Sequence, residues 1–288
     1  MRTPKVLVIG LVLAGLTGCG TAVAAEGSPA WVTASPSPSR THAPSHSASP
    51  FSSPSHRATH TPAHSSSPTS TATSTPPSRP TRRAHHGGPA NSLMKTGQNG
   101  VALTFDDGPD PVQTPKLLDL LKQRHVKATF CLVGQNVAAH PGLVRRIAAE
   151  GHTLCNHTWR HSLTLGKRKP SAIRADLQRT NEAIRAAVPG AEIKYMRAPG
   201  GNFTPAFVDA ATDLGMTSIY WQVDPRDWDH PAGESDDAHE AKVIRAVKKH
   251  VGRGAIVLSH DYGQPDTITA YQTLIPWLQQ RYKLIALP

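Results

Sequence analysis

Two aspartates stand side by side in Thr104-Phe105-Asp106-Asp107-Gly108-Pro109, with a turn directly after them. Adjacent carboxylates repel unless one meets a cation and the other a proton or a positive side chain. The pair is therefore either one helix cap and a bystander or part of a charged site. Further on, His157 and His161 are four residues apart. On a helical turn that spacing puts both imidazoles on one face, as two ligands of a single ion require. Alone, such a pair is a common surface coincidence. Joined with an aspartate from elsewhere it becomes a set of two histidines and one carboxylate with open coordination positions, the kind that activates water. Arg197 precedes Ala198-Pro199-Gly200-Gly201, a stretch whose backbone can approach a ligand closely. Asp227 and Trp228 close the run Asp224-Pro225-Arg226-Asp227-Trp228, and His260 follows Leu258-Ser259. Each has an ordinary explanation as an ion pair, a turn, a core residue or a satisfied imidazole. Their joint placement argues for more.

That placement emerges from the hydrophobic pattern. Short apolar runs at 101–105, 128–133, 152–155, 195–197, 217–223, 255–258 and 283–287 read as seven strands. Between them lie stretches of helical spacing: Leu117, Leu118 and Leu121; Val144, Ile147 and Ala148; Ile173, Leu177, Ile184 and Val188; then 205–214, 241–251 and 267–282. Regular alternation of strand and helix implies parallel strands with helical crossovers. The expected fold is α/β, a distorted (β/α)7 barrel short of the usual eight units, with an open doubly wound sheet as the alternative. Every residue singled out above falls at the end of a strand, the face where barrels carry their chemistry. His152, inside a strand, is expected to be structural. No G-x-G-x-x-G or G-x-x-x-x-G-K-[ST] opens a helix, which argues against a nucleotide cofactor.

Thr104-Phe105-Asp106-Asp107-Gly108-Pro109, His157-Thr158-Trp159-Arg160-His161, Arg197-Ala198-Pro199-Gly200, Asp224-Pro225-Arg226-Asp227-Trp228 and Leu258-Ser259-His260 resemble, in order, the five motifs of the NodB-homology polysaccharide deacetylases, carbohydrate esterase family 4. The resemblance runs from about Asn99 to Pro288. It implies a TIM-like barrel that removes N-acetyl groups and releases acetate. Asp106 would be the general base, held ionised by Arg197. Asp107, His157 and His161 would bind a divalent metal, usually zinc, although such a set also accepts Co2+, Ni2+ or Mn2+. His260 would be the general acid, oriented by Asp227, which raises its pKa. Trp228 and Leu258 would wall the acetyl pocket, and the Gly200 N–H would help to stabilise the oxyanion. Many members carry Tyr where this chain has Gly200, a change that keeps the main-chain donor and alters the groove.

The chain has 288 residues and a formal net charge of +11, but neither is evenly distributed. Arg2 and Lys5 precede an apolar run from Val6 to Leu16, which reads as an export signal over 1–25. Leu16-Thr17-Gly18-Cys19 resembles a lipoprotein box that would leave a lipidated Cys19, whereas Ala22-Val23-Ala24 would release a secreted protein. Residues 26–97 read as a disordered linker: from Gly27 to Ala90, 37 of 64 residues are Ser, Thr or Pro, with seven His, five Arg and no Lys, Asp or Glu. Such a segment buries too little apolar surface to offset its ordering entropy. As a coil it would span about 45 Å. The catalytic domain is expected at 98–288. Much of the basic excess lies outside it, and no basic cluster with aromatic partners points to nucleic acid. Lys167-Arg168-Lys169 reads as a solvated loop.

Cys131 and Cys155 form an even pair on successive predicted strands, consistent with either a disulfide in an oxidising compartment or two buried thiols. The protein is thus expected outside the cytoplasm, monomeric, associated with the cell wall and touching a membrane only through a lipid anchor. Its expected substrate is an N-acetylated polysaccharide, with peptidoglycan GlcNAc or MurNAc favoured by that placement. Chitin oligomers, O-acetylated xylan and a non-catalytic carbohydrate-binding role are the alternatives.

Overall fold

The computed structural model describes residues 86–288. The leader at 1–25, Cys19 and the tether up to residue 85 lie outside the described residues. Seven strands alternate with helices: β1 Val101–Asp106, α1 Gln113–Gln123, β2 Thr129–Leu132, α2 Gly134–Ala139, α3 Pro141–Ala149, β3 Thr153–Asn156, α4 Pro170–Ala187, β4 Tyr195–Met196, α5 Pro205–Asp213, β5 Thr217–Ser218, α6 Asp236–His250, β6 Ile256–His260, α7 Pro265–Gln279 and β7 Leu284–Ile285. The main path of the sheet is β5-β4-β3-β2-β1-β6, all pairs parallel. A parallel bridge from Val223 to Val257 and the bonds from Leu258 N to Val223 O (2.9 Å) and Gln222 N to Ile256 O (2.9 Å) join the two ends. The expected distorted (β/α)7 barrel is the fold observed.

It differs in detail from the hydrophobic pattern. Of the expected fifth strand at 217–223, only Thr217 and Ser218 pair with β4. Beyond them Leu93 inserts, donating to Ser218 O and accepting from Tyr220 N, both at 2.8 Å. β7 pairs only with Val101 and Ala102, beneath the barrel. Pairing also begins ahead of the boundary expected at residue 98. Residues before it are hydrogen-bonded to the domain through Leu93, the Lys95–Ala255 bridge and Thr96 N to Gly254 O (2.9 Å). Composition marked this stretch as linker because main-chain pairing leaves no compositional trace.

Strand alternation sorts the side chains into two cores. Val101, Leu103 and Phe105 face outward into the large cluster shared with the helices, where Phe105 meets Phe130 and Tyr271 at ring-centroid distances of 5.6 and 5.1 Å. Fully burying a side chain of this kind contributes roughly 1.5–3 kcal/mol. Ala102 faces inward with Cys131, Cys155, Tyr195, Ile219 and Ile256. Cys131 and Cys155, paired in register on β2 and β3, are joined there by a disulfide.

The helices have identifiable starts. Ser235 caps α6 by accepting from Ala238 N at 3.3 Å. Asp236 and Asp237 open that helix and Lys248, Lys249 and His250 close it, in the sense its dipole favours. Thr204 caps α5 through Phe207 N at 3.2 Å.

Candidate active site

The same inward row that carries Ala102 and Thr104 ends on Asp106, whose register partner on β6 is His260. Parallel pairing thus sets these two residues side by side at the mouth of the barrel. Leu258, partner of Thr104, lies two residues lower on the same face. Asp107 then turns away. Its backbone adopts φ +76°, a left-handed conformation that is strained for a non-glycine residue and recurs at functional sites. Asn136 of α2 fixes that turn by donating to Asp107 O at 2.7 Å. Neither carboxylate caps the next helix. Asp110 does so, accepting from Val112 N at 2.6 Å and Gln113 N at 2.7 Å.

Asp106 is buried against Arg197, whose Nη1 donates to Oδ1 at 2.6 Å. The guanidinium is itself wholly buried, and its Nη2 donates to Tyr220 O at 3.1 Å. A buried pair of this kind persists because removing either member strands the other charge.

Asp107 Oδ1 lies 3.3 Å from His157 Nε2 and 3.3 Å from His161 Nε2. The histidines converge differently from the sequence expectation. Residues 157–161 are not helical, and left-handed Thr158 (φ +67°) and His161 (φ +52°) fold a loop that brings the ring centroids to 4.9 Å. The loop is held on both sides. Gly134 N and Gln135 N, opening α2, donate to Thr158 O (2.9 Å) and Trp159 O (3.0 Å). From α4, Asp176 accepts from Trp159 N at 2.7 Å and Asn181 accepts from Asn156 Nδ2 at 2.8 Å. Gly134 is required here: a Cβ on it would sit 2.4 Å from Trp159 Cε3.

His157 Nδ1 donates to Arg197 O at 2.8 Å, which leaves the Nε2 lone pair aimed at Asp107. Asp107 Oδ1 is buried and receives no well-aligned hydrogen bond from a described residue. An orphaned carboxylate oxygen between two imidazole nitrogens fits a divalent metal. Burial opposes ionisation of Asp107, but the close His157 imidazole, and after it the charge of His161, hold its carboxyl well below the usual range. Burial would lower the His157 pKa, yet the Asp106 and Asp107 carboxylates raise it. At His161, burial and the His157 charge prevail and lower it.

On the opposite wall, Asp227 Oδ1 lies 2.9 Å from His260 Nδ1 and Asp227 Oδ2 accepts from His260 N at 2.8 Å. Burial alone would depress the His260 pKa. The hydrogen bond and charge of Asp227 outweigh it, with help from Asp106 and Asp107, and raise it to about 9.

Asp106, Asp107, His157, His161 and His260 line one cleft of about 340 Å³ that also includes Gly200, Trp228 and Leu258, while Arg197 and Asp227 are wholly buried behind it. Gly200 has φ +59°, and a Cβ there would stand 3.0 Å from Leu163. Trp228 is 45% exposed, with the Arg226 guanidinium 4.6 Å from its ring centre. The structure therefore brings together Asp106, Asp107, His157, His161, Arg197, Gly200, Asp227, Trp228, Leu258 and His260. Cys131 is the register partner of Asp106 on β2, so the Cys131–Cys155 disulfide sits beside the base inside the barrel without lining the cleft.

Leu163, Trp221 and Asp224 also line the cleft and had been given no role from the sequence. Asp224 was visible at a strand end, but Trp221 looked like an ordinary strand residue and Leu163 like a loop residue. His152, which the sequence places in the third strand, precedes β3 by one residue and accepts from Ala128 N at 3.1 Å, away from the cleft. Burial pushes its pKa down to about 4.

Comparison with known proteins places this geometry among relatives. The family model described as polysaccharide deacetylase matches residues 94–219. A chitooligosaccharide deacetylase of Bradyrhizobium sp. (strain ANU 289) is 38% identical over 199 residues, covering 65% of this chain and 87% of that protein. A peptidoglycan-N-acetylglucosamine deacetylase of Bacillus cereus (strain ATCC 14579) is 35% identical over 190 residues, covering 64% and 84%. Among solved structures, the Bc1960 peptidoglycan N-acetylglucosamine deacetylase in complex with 4-naphthalen-1-yl-N-oxidanyl-benzamide superposes with a TM-score of 0.60 at 35% identity, covering 70% and 89%.

Proposed function

Because the chain belongs to the polysaccharide deacetylase family, carbohydrate esterase family 4, we propose that it is a metal-dependent hydrolase removing N-acetyl groups from peptidoglycan GlcNAc or MurNAc and releasing acetate. The observation that carries this reading is the meeting, in one cleft, of an Asp-His-His set with two opposed groups suited to proton transfer: Asp106 paired to Arg197, and His260 paired to Asp227.

Asp107, His157 and His161 would hold the metal. Zinc suits them best, and Co2+, Ni2+ and Mn2+ are also compatible. When bound, such an ion supplies Lewis acidity that polarises a carbonyl and lowers the pKa of water. Asp106 Oδ2 lies 3.6 Å from His157 Nε2, so the base faces the point where the ligands converge. With Arg197 favouring its ionised form, Asp106 takes a proton from the attacking water. Gly200 offers its main-chain N–H to the negative charge that develops on the carbonyl oxygen. His260, its Nδ1 engaged by Asp227, carries its transferable proton on Nε2 and delivers it to the departing nitrogen, freeing acetate and an amine. Trp228 and Leu258 enclose the acetyl methyl.

Support for a wall polymer comes from the leader and acid-free tether in the sequence, which suit an enzyme exported and held near its own wall by a lipid at Cys19 or secreted into it. The Bacillus cereus relative, named for peptidoglycan, points the same way. The Bradyrhizobium relative, named for chitooligosaccharides, favours a second reading with oligomers as substrate. Acetate release should be measured on purified peptidoglycan, chitin oligomers and acetylated xylan, with and without chelator. Chelator-sensitive release, greatest on peptidoglycan, is expected. Preference for chitin oligomers selects the second reading, and release from none of the three, or release indifferent to chelator, overturns the proposal.

A further inference from the structure

A second group of metal-ligating side chains lies outside the cleft, where the segment following Asp227 and Trp228 meets the first turns of α6 and α7. His230 Nε2 is 3.4 Å from Asp266 Oδ2, and His239 Nδ1 is 3.0 Å from the same oxygen. The two imidazole centroids are 4.5 Å apart, and one ligand atom from each of the three residues lies within 4.8 Å of the others. Asp236 Oδ1 stands 3.5 Å from His230 Nε2. His239 is wholly buried, and its Nε2 has no hydrogen-bond partner among the described residues.

Three separate elements build this arrangement: His230 from the loop, His239 from the first turns of α6 and Asp266 from the first turn of α7. As at Asp107 with His157 and His161, two imidazole nitrogens face one carboxylate oxygen; here His239 Nδ1 is hydrogen-bonded to Asp266 Oδ2, and a metal would take the place of that proton. We propose that His230, His239 and Asp266 form a second site for a divalent transition metal of the zinc class, with Asp236 available as a fourth ligand. Two nitrogen and two oxygen donors match four-coordinate zinc. Calcium, which takes six to eight oxygens, is a poor match. Partial exposure of the His230 side chain (31%) leaves a path for the ion to enter.

The site would act on structure rather than on substrate. It ties the loop carrying Asp227 and Trp228 to two helices at once. Thr267, next to Asp266, donates to Asp227 Oδ2 at 2.7 Å, so the clamped end of α7 is the end that supports the Asp227–His260 pair. None of the three proposed ligands lines the cleft.

The test is metal stoichiometry on the full chain, by equilibrium dialysis with zinc and by visible absorption with Co2+ as probe. Wild type should bind two equivalents, and the double variant His157→Ala/His161→Ala should keep one, with the intense bands of a four-coordinate cobalt ion. Adding His230→Ala or, separately, Asp266→Asn should weaken that remaining site. Loss of an outer-shell partner alone costs about 10–100-fold, so loss of a ligand should cost at least as much. Each is a single change, at partly exposed His230 or at buried Asp266, and circular dichroism checks that each variant is folded. Should the ligand-loop variant fail to fold, the wild-type background still discriminates, because His230→Ala should lower two equivalents to one. A single equivalent in wild type overturns the proposal. So does a second equivalent unaffected by either substitution, which would place it at other side chains.

Discussion

Asp227 holds His260 at two points, with Oδ1 2.9 Å from the ring Nδ1 and Oδ2 accepting the main-chain N–H at 2.8 Å. The carboxylate is fully buried and receives a third hydrogen bond from Thr267. One contact sets the protonation of the imidazole and the other fixes where the ring stands, so charge and geometry can be separated by mutation.

Replacing Asp227 with Asn retains a polar group of similar shape and removes the charge. The group that must stay protonated has a pKa raised from 6.5 to about 9 in the folded protein. Activity limited by that proton therefore holds below the raised value and declines as pH rises through about 9. In Asp227→Asn the alkaline limb of kcat/KM should move toward 6.5, measured as a pH–rate profile on a soluble acetylated oligosaccharide. The same shift predicts a stability contribution that is complete below 6.5 and disappears as pH rises through about 9. An alkaline limb that stays in place would remove His260 from the role of acid.

A positioned acid or base contributes about 10²–10⁴-fold to rate. Asp106→Asn and His260→Ala should each lower acetate release by at least about 10²-fold with the fold intact by circular dichroism. Near-wild-type turnover by either variant contradicts its assigned role.

Arg197 and Asp106 form a wholly buried pair, and breaking one from either side costs about 3–5 kcal/mol. Arg197→Met should therefore lower the denaturation midpoint markedly. The double variant Arg197→Met/Asp106→Asn should recover part of that loss, because no unpaired charge remains. Additive losses in the thermodynamic cycle would show that the two side chains are not coupled.

Gly134→Ala is a small change outside the cleft lining, yet its methyl would meet Trp159, whose loop carries both histidine ligands. The loop must shift to make room. Weaker zinc binding at the first site, read by competition with a chromophoric chelator, is expected to accompany reduced activity. Unchanged affinity would mean that the loop adapts without moving His157 or His161.

How much of this was legible in the sequence varies with the kind of information. Short continuous apolar runs locate β1, β2, β3 and β6, because these strands are buried on both faces. α2 escaped notice since six residues starting at a glycine provide little periodicity. The fifth strand is read too long because Ile219, Tyr220, Trp221 and Val223 continue its apolar character, although Leu93 interrupts its pairing after Ser218.

The site divides along the same line. Residue types and their positions at strand ends were enough to nominate Asp106, Asp107, His157, His161, Arg197, Asp227 and His260, because chemistry depends on which groups are present. Where those groups point was decided by the tertiary structure alone. Parallel register aligns Asp106 with His260, a left-handed Asp107 separates two adjacent carboxylates, and a loop clamped between α2 and α4 brings His157 and His161 together. The cluster of His230, His239 and Asp266 belongs wholly to that second category: its members come from three elements, carry no common spacing, and meet only because α6 and α7 pack side by side.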